Sequence, residues 1–179
     1  MLGNTVREEL TYRLEKFNVS KSEIKARIKR VLNTLNIYEL LDKEINNLTV
    51  IDKERLSLAI GLIINPDILL LDNPFPCFSR KEEEAMYKAL RNLSNKGMTI
   101  IITTTNSEEC LITDKVLLIN KFNKIAYDRL TKILNNESLL KKNGIEMPFM
   151  IDLSSKLRAY GLIDKNINDP ERMVDILWK

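Results

Sequence analysis

The chain has 179 residues, of which 44% are hydrophobic and 30% charged, and a net charge of +3. This is ordinary globular composition, enough for one packed domain with a short appendage, and it excludes fibrous, low-complexity and disordered classes. The small, dispersed positive excess leaves no footprint for nucleic acid, the absence of His removes imidazole ligands and acid–base groups, and Cys77 and Cys110 alone cannot complete a zinc site.

Val6, Leu10, Leu14 and Phe17 are spaced as one face of a first helix. Ser20 or Ser22 is placed to cap a second, which carries Ile24, Ile28, Val31, Leu32 and Leu35 on one face. Asn36 to Asp42 reads as a short third helix. Leu56 to Ile64 is apolar enough for a buried helix, which Asn65-Pro66 ends. Ile68 to Leu71 then reads as a strand buried on both faces. An amphipathic helix follows over Glu82 to Leu93 and ends near Gly97. Met98 to Thr104 and Val116 to Ile119 read as two more buried strands, with Lys124 to Tyr127 pairing back across a turn centred on Asn123. From Leu130 the pattern is helical, and Asp169-Pro170 is a good start for the last helix. Strands alternating with helices predict an α/β fold with a parallel sheet. No signal peptide is visible, and no apolar run reaches the roughly 18 residues of a membrane span.

Ile68-Leu69-Leu70-Leu71-Asp72 is an apolar strand ending in a carboxylate. Such a carboxylate holds Mg²⁺ in nucleotidases, and elsewhere it simply begins a turn. Its surroundings decide between the two. Leu71-Asp72-Asn73-Pro74 resembles the Leu-Asp-Glu-Pro of ATP-binding-cassette (ABC) ATPases. Leu48-Thr49-Val50-Ile51-Asp52-Lys53-Glu54-Arg55 stands where that family carries Leu-Ser-Gly-Gly-Gln-x-x-Arg, at the family's separation, 72 − 48 = 24. Gly97 to Thr104 resembles the Gly-x-Thr strand before the family's switch histidine, and Asp114-Lys115-Val116 its Asp-Arg-Val. The opening, Leu2 to Glu9, is similar to the segment after the family's Q-loop. The end, with Leu139-Leu140, Gly144-Ile145-Glu146-Met147-Pro148, Leu153, Leu157 and Gly161, resembles the tail of energy-coupling-factor (ECF) transporter ATPases.

The resemblance implies a partial P-loop NTPase-like fold in three parts: a helical subdomain over 1–47, a degenerate ATPase core over 48–129, and a helical C-terminal region over 130–179. It implies Asp72 as the Mg²⁺ ligand; Thr49, Val50, Ile51 and Asp52 as the signature that meets the nucleotide; and Ser79 at the D-loop position. ATP and Mg²⁺ are the implied cofactors. An ECF transmembrane subunit and a second ATPase subunit are the implied partners, with import of vitamins, cobalt or nickel as the task. The implied location is the cytoplasmic face of the cell membrane, reached only through a partner.

The same residues argue against catalysis by this chain alone. It contains no Gly-x-x-x-x-Gly-Lys-Ser/Thr, which the family places upstream of Met1, so N-terminal truncation is expected. Asn73 stands in place of the catalytic Glu, and its carboxamide cannot take a proton from water. Thr105 replaces the switch His, and Ser79 the D-loop Asp. Val50 and Ile51 replace two glycines that let backbone approach a γ-phosphate. The expected protein is a degenerate ECF-type subunit that does not bind or hydrolyse ATP unaided. Two alternatives stand beside it: half of a split ATPase completed by another polypeptide, and the product of a decaying gene. A fragment of a DNA-associated ATPase is disfavoured by the short helical region and the transporter-like tail. The helical stripes are expected to leave apolar surface for a membrane partner, and the sheet to be thin or exposed on one side.

Overall fold

The computed structural model describes residues 3–178, in two compact units, Met1–Thr103 and Thr104–Lys179.

The first unit opens with α1 (Val6–Lys16). Thr5 starts it: its hydroxyl accepts the Glu8 amide at 3.2 Å, and the Glu8 carboxylate accepts the Thr5 amide at 3.3 Å, a reciprocal capping box. α2 (Lys21–Thr34) follows a turn in which Asn18 takes φ 55°. Ser20 holds the N-cap position, but its hydroxyl pairs with Ser22 rather than with a helix amide. The expected third helix is a single 3₁₀ turn at Tyr38–Leu40. Asn36 at φ 53° breaks the chain direction before it, and too few residues remain for a full helix. α3 (Val50–Leu62) begins one and a half turns earlier than its apolar stretch, because Thr49 caps it by accepting the Asp52 amide at 3.1 Å.

The helical stripes pack on one another. Val6, Leu10, Leu14, Ile24, Ile28 and Leu35 are buried, and Phe17 is 62% exposed. The expectation that these stripes leave a free apolar face is therefore corrected: α1, α2 and α3 consume them. Glu9 is fully buried among them, paired with Arg13 at 3.0 Å and accepting the Gly3 amide at 3.0 Å.

β1 (Ile68–Asp72) and β2 (Thr99–Thr103) pair in parallel, from Ile68 opposite Thr99 to Asp72 opposite Thr103. The crossover between them is α4 (Arg80–Asn95), which ends before Gly97 at φ 104°. Leu69 turns inward, and a Cβ at Gly61 of α3 would stand 3.4 Å from its side chain, so helix and strand lie close there. The opposite face is bare. Ile68 and Leu70 are 59% and 71% exposed, and Ile101 is 50% exposed, so burial on both faces is corrected to burial on one. The expected exposed side of the sheet is this face.

In the second unit, β3 (Lys115–Asn120) and β4 (Asn123–Arg129) form an antiparallel hairpin. The expectation that Val116 to Ile119 joins the parallel sheet beside Asp72 is corrected: among the described residues β3 pairs only with β4. The turn residues are Lys121 (φ 46°) and Phe122 (φ 63°), both left-handed as a tight type I′ connection requires, so Asn123 is the first strand residue rather than the turn centre. Val116 and Leu118 face inward and pack with α5 (Leu130–Leu134), α6 (Glu137–Lys142) and Ile151 of α7 (Phe149–Ala159). A second small core joins Met150 to Ile163, Ile167 and Met173 of α8 (Pro170–Leu177). Asp169 caps α8 by accepting the Glu171 amide at 2.9 Å, with Pro170 at the first helical position. No helix among the described residues is long and apolar enough to cross a membrane.

The two cysteines differ in burial. Cys77 is exposed, whereas Cys110 is half-buried against the hairpin core, and burial followed by the Glu109 charge pushes its thiol pKa up. The thiolate is the reactive form. Iodoacetamide at pH 8 is expected to label Cys77 well before Cys110, read by peptide mass mapping; equal rates would contradict the burial.

Candidate functional site

The end of β1 carries the chemistry. Asp72 is the last strand residue and is exposed. The Thr103 hydroxyl, directly opposite on β2, donates to its Oδ1. Thr103 holds Asp72 through the cross-strand register, a relation invisible until the strands are paired. The chain then turns sharply: Asn73 takes φ 42°, and its amide donates to the Thr103 carbonyl at 2.9 Å. Left-handed backbone is far easier for Asn than for most side chains, so the local conformation tolerates the carboxamide well.

After Asn73, Phe75 and Phe78 are buried, their rings tilted against each other with centroids 5.0 Å apart, and Tyr87 of α4 lies edge-on to Phe75 at 5.4 Å. Ser79 occupies the N-cap position of α4, where Glu82 accepts both its amide at 2.9 Å and its hydroxyl at 2.7 Å. Arg55 ties this corner to α3. It pairs with Glu82 at 3.2 Å and with Asp52 at 3.8 Å, and its guanidinium lies 5.5 Å from the centre of the Phe78 ring. The structure thus joins Thr49, Asp52, Ser79 and Glu82 through one arginine. Sequence reasoning singled out three of these four and missed both Glu82 and the bridging Arg55. The spacing Asp52-x-x-Arg55 was the available signal, since residues three apart share a helix face.

The Ser79 hydrogen bonds, then the Arg55 charge, hold the Glu82 carboxyl below its ordinary pKa. A depressed carboxylate stabilises the fold above the unfolded-state value, about 4.3 for Glu, and that contribution disappears as pH falls through the folded value. Glu82→Gln is expected to lower Tm at pH 7, with the gap from wild type closing on acidification. A gap independent of pH would show that the charge is not what matters.

At the start of α3, Thr49 is exposed, Val50 is 62% exposed and Ile51 is half-buried. The branched side chain of Val50 occupies the solvent side of the helix N-terminus, where a glycine would leave backbone accessible. Thr105 lies two residues past β2 and is exposed, and the chain division assigns it to the second unit.

Mg²⁺ in phosphotransfer sites takes one or two carboxylates plus substrate phosphates. Asp72 offers one such ligand, and no group of three or more Asp, Glu or Cys among the described residues could hold a metal ion. Within the 179 residues no glycine-rich loop is available to cradle phosphates.

Comparison with known proteins places this geometry. Residues 2–76 match the family model described as ABC transporter. Over these residues the chain is similar to that family. Beyond the segment, the energy-coupling factor transporter ATP-binding protein EcfA1 of Bacillus subtilis is 28% identical over 99% of the chain and 64% of its own length. Its namesake from Mycoplasma pneumoniae is 30% identical over 88% of the chain and 58% of its own length. The chain therefore spans about 58–64% of these relatives. The structure of cbiO1 from Clostridium perfringens, described as part of the ABC transporter complex cbiONQ, superposes with a TM-score of 0.69 at 22% identity, covering 79% of this chain and 57% of that one. A metal-chelate type ABC transporter in an inward-facing conformation gives a TM-score of 0.67 at 21% identity. The fold matches that of these ABC transporter structures.

Proposed function

We propose that this chain is the ATP-binding-subunit portion of an ECF-type ABC transporter, degenerate at its nucleotide site and unable to bind or hydrolyse ATP as these 179 residues alone. The observation that carries the reading is the Asp72-Asn73 pair. The carboxylate suited to Mg²⁺ is kept and held by Thr103, while the next residue offers a carboxamide where hydrolysis needs a base. Val50 and Ile51 at the α3 N-terminus, Ser79 at the α4 cap and Thr105 beyond β2 support it from independent places in the fold. The three-part division at residues 47 and 129 belongs to the same reading. So do a transmembrane ECF subunit and a second ATPase subunit as partners, and a station at the cytoplasmic membrane face through them. Vitamin, cobalt or nickel uptake is the transport task, with a separate membrane protein selecting the cargo. Nothing in the charge distribution favours nucleic acid.

Isothermal titration of MgATP into the 179-residue chain is expected to give no heat at micromolar to low-millimolar concentration. Asn73→Glu alone is expected to release no phosphate, since the γ-phosphate stays uncradled. Micromolar affinity, or turnover by the variant, would overturn the reading.

The bare face formed by Ile68, Leu70 and Ile101 favours a second reading, in which another polypeptide covers this sheet and completes an ATP site. Its test is the same titration after addition of a polypeptide carrying Gly-x-x-x-x-Gly-Lys-Ser/Thr; gain of MgATP binding by the mixture beyond that of the added polypeptide selects it.

A further inference from the structure

The outer face of the β3–β4 hairpin is used neither by the cores of the second unit nor by any motif. Val116 and Leu118 point inward, so the alternation of a strand turns Leu117 and Ile119 out. Leu117 stands opposite Tyr127, and both are exposed. A register shift between Leu118 and Ile119 accompanies a further exposed residue, Ile125. Lys115 and Lys124 lie over the Tyr127 ring, 5.6 and 5.8 Å from its centre, which places both ammonium groups on this face. An exposed apolar strip is thus bordered by cations.

The tip continues this pattern at a conformational cost. Lys121 and Phe122 form the turn, both left-handed, and Phe122 is fully exposed. Left-handed backbone suits Gly or Asn and strains a bulky side chain. Phe122 joins neither core cluster of the second unit, so packing does not offset that strain. From Lys115 to Arg129 the hairpin carries four cations and one carboxylate. That carboxylate, Asp128, lies opposite the inward-pointing Val116, accepts the Arg129 amide at 2.8 Å and pairs with Lys132 of α5 at 3.2 Å. Lys115, Lys121 and Lys124 form no ion pair among the described residues.

We propose that this hairpin docks directly on an anionic lipid surface. Phe122 enters the boundary between headgroups and acyl chains, and Lys115, Lys121 and Lys124 meet lipid phosphates. A nucleic-acid strand would engage the cations and rings but leave Leu117, Ile119 and Ile125 without an apolar partner. The headgroup layer offers negative charge and apolar depth together, which is what a cation-bordered apolar face requires. This contact goes beyond the partner-mediated membrane station proposed above. It uses no residue of the Asp72 corner, so it stands or falls separately from the ATP-site reading.

The test floats the full 179-residue chain with vesicles on a sucrose gradient, which separates bound protein from aggregates. The vesicles are phosphatidylcholine alone, or an equal mixture of phosphatidylcholine and phosphatidylglycerol. Flotation with the mixed vesicles and little with the neutral ones is expected, and affinity should fall as salt rises. Lys121→Gln combined with Lys124→Gln should weaken binding about 5-fold per charge removed. Phe122→Asn keeps a residue suited to the left-handed turn and should weaken binding at least ~10-fold. Tyr160→Ala removes an exposed aromatic outside the hairpin and should leave binding unchanged. Absence of flotation with the mixed vesicles overturns the proposal. So does equal flotation with neutral vesicles, unchanged binding by Phe122→Asn, an equal loss in Tyr160→Ala, or capture by a single-stranded oligonucleotide in place of vesicles.

Discussion

Leu10→Ala is expected to cost about 2–5 kcal/mol of unfolding free energy, the range for truncating a fully buried leucine. Leu10 has no exposed surface and sits midway along the face of α1 that meets α2 and α3. The deleted atoms leave a cavity that three short helices, with α1 fixed by its capping box and α3 by the Thr49 cap, have little freedom to close. Total stability of a domain this size is only about 5–15 kcal/mol, so the loss should be visible as a large shift in the urea midpoint. Phe17→Ala is the control. It continues the same sequence stripe but is 62% exposed, so its cost should stay within about 0.5 kcal/mol. Equal losses at the two positions would mean that the stripe is not divided between core and surface as described.

Arg13→Ala is expected to destabilise the first unit by about 2–3 kcal/mol, through Glu9 rather than through its own contacts. Glu9 is fully buried, and Arg13 supplies the guanidinium 3.0 Å from its carboxylate. Removing one partner of a buried pair costs about 3–5 kcal/mol, because a desolvated charge is left behind. The expected figure is lower because the Arg13 side chain is 41% exposed and water can enter in its place. The double variant Glu9→Met, Arg13→Met should recover most of the loss, since an apolar pair of similar volume carries no desolvation penalty. Urea unfolding of wild type, single and double variants checks this. A double variant less stable than Arg13→Ala would show that the Glu9 hydrogen bond to the Gly3 amide outweighs its burial.

The α/β alternation, the Asp169-Pro170 start and the parallel crossover around Asp72 were all legible in the sequence, because each rests on local chemistry. Asp72 was legible as a carboxylate at a strand end, whereas Asn73 and Ser79 were singled out through the family resemblance; the structure sets them in the turn after β1 and at the N-cap of α4. What escaped was relational. An apolar run such as Ile68 to Leu71 looks alike whether one face or both are covered, since coverage depends on distant residues. Lys121-Phe122 carries neither Gly nor Asn, so nothing advertised a two-residue turn there. The contact of Arg55 with Glu82 spans 27 residues and two helices and has no local signature. The Phe17 stripe misled because periodicity identifies a face without saying where on it the core ends.

Among the described residues the two short parallel strands pair only with each other, which also sets a limit on how the chain can be handled. Met98 to Thr104 is a seven-residue run of high β-propensity without charge or proline, the kind of segment that templates cross-β stacking when its edge is unpaired, and Ile68 to Leu71 is a shorter apolar run beside it. Native edge strands usually guard such runs with a lysine or a bulge, and none interrupts these. Concentration, more than temperature, should therefore govern how long a preparation stays clear, and the solvent-facing Leu70 is where a gatekeeping charge would enter without touching the core.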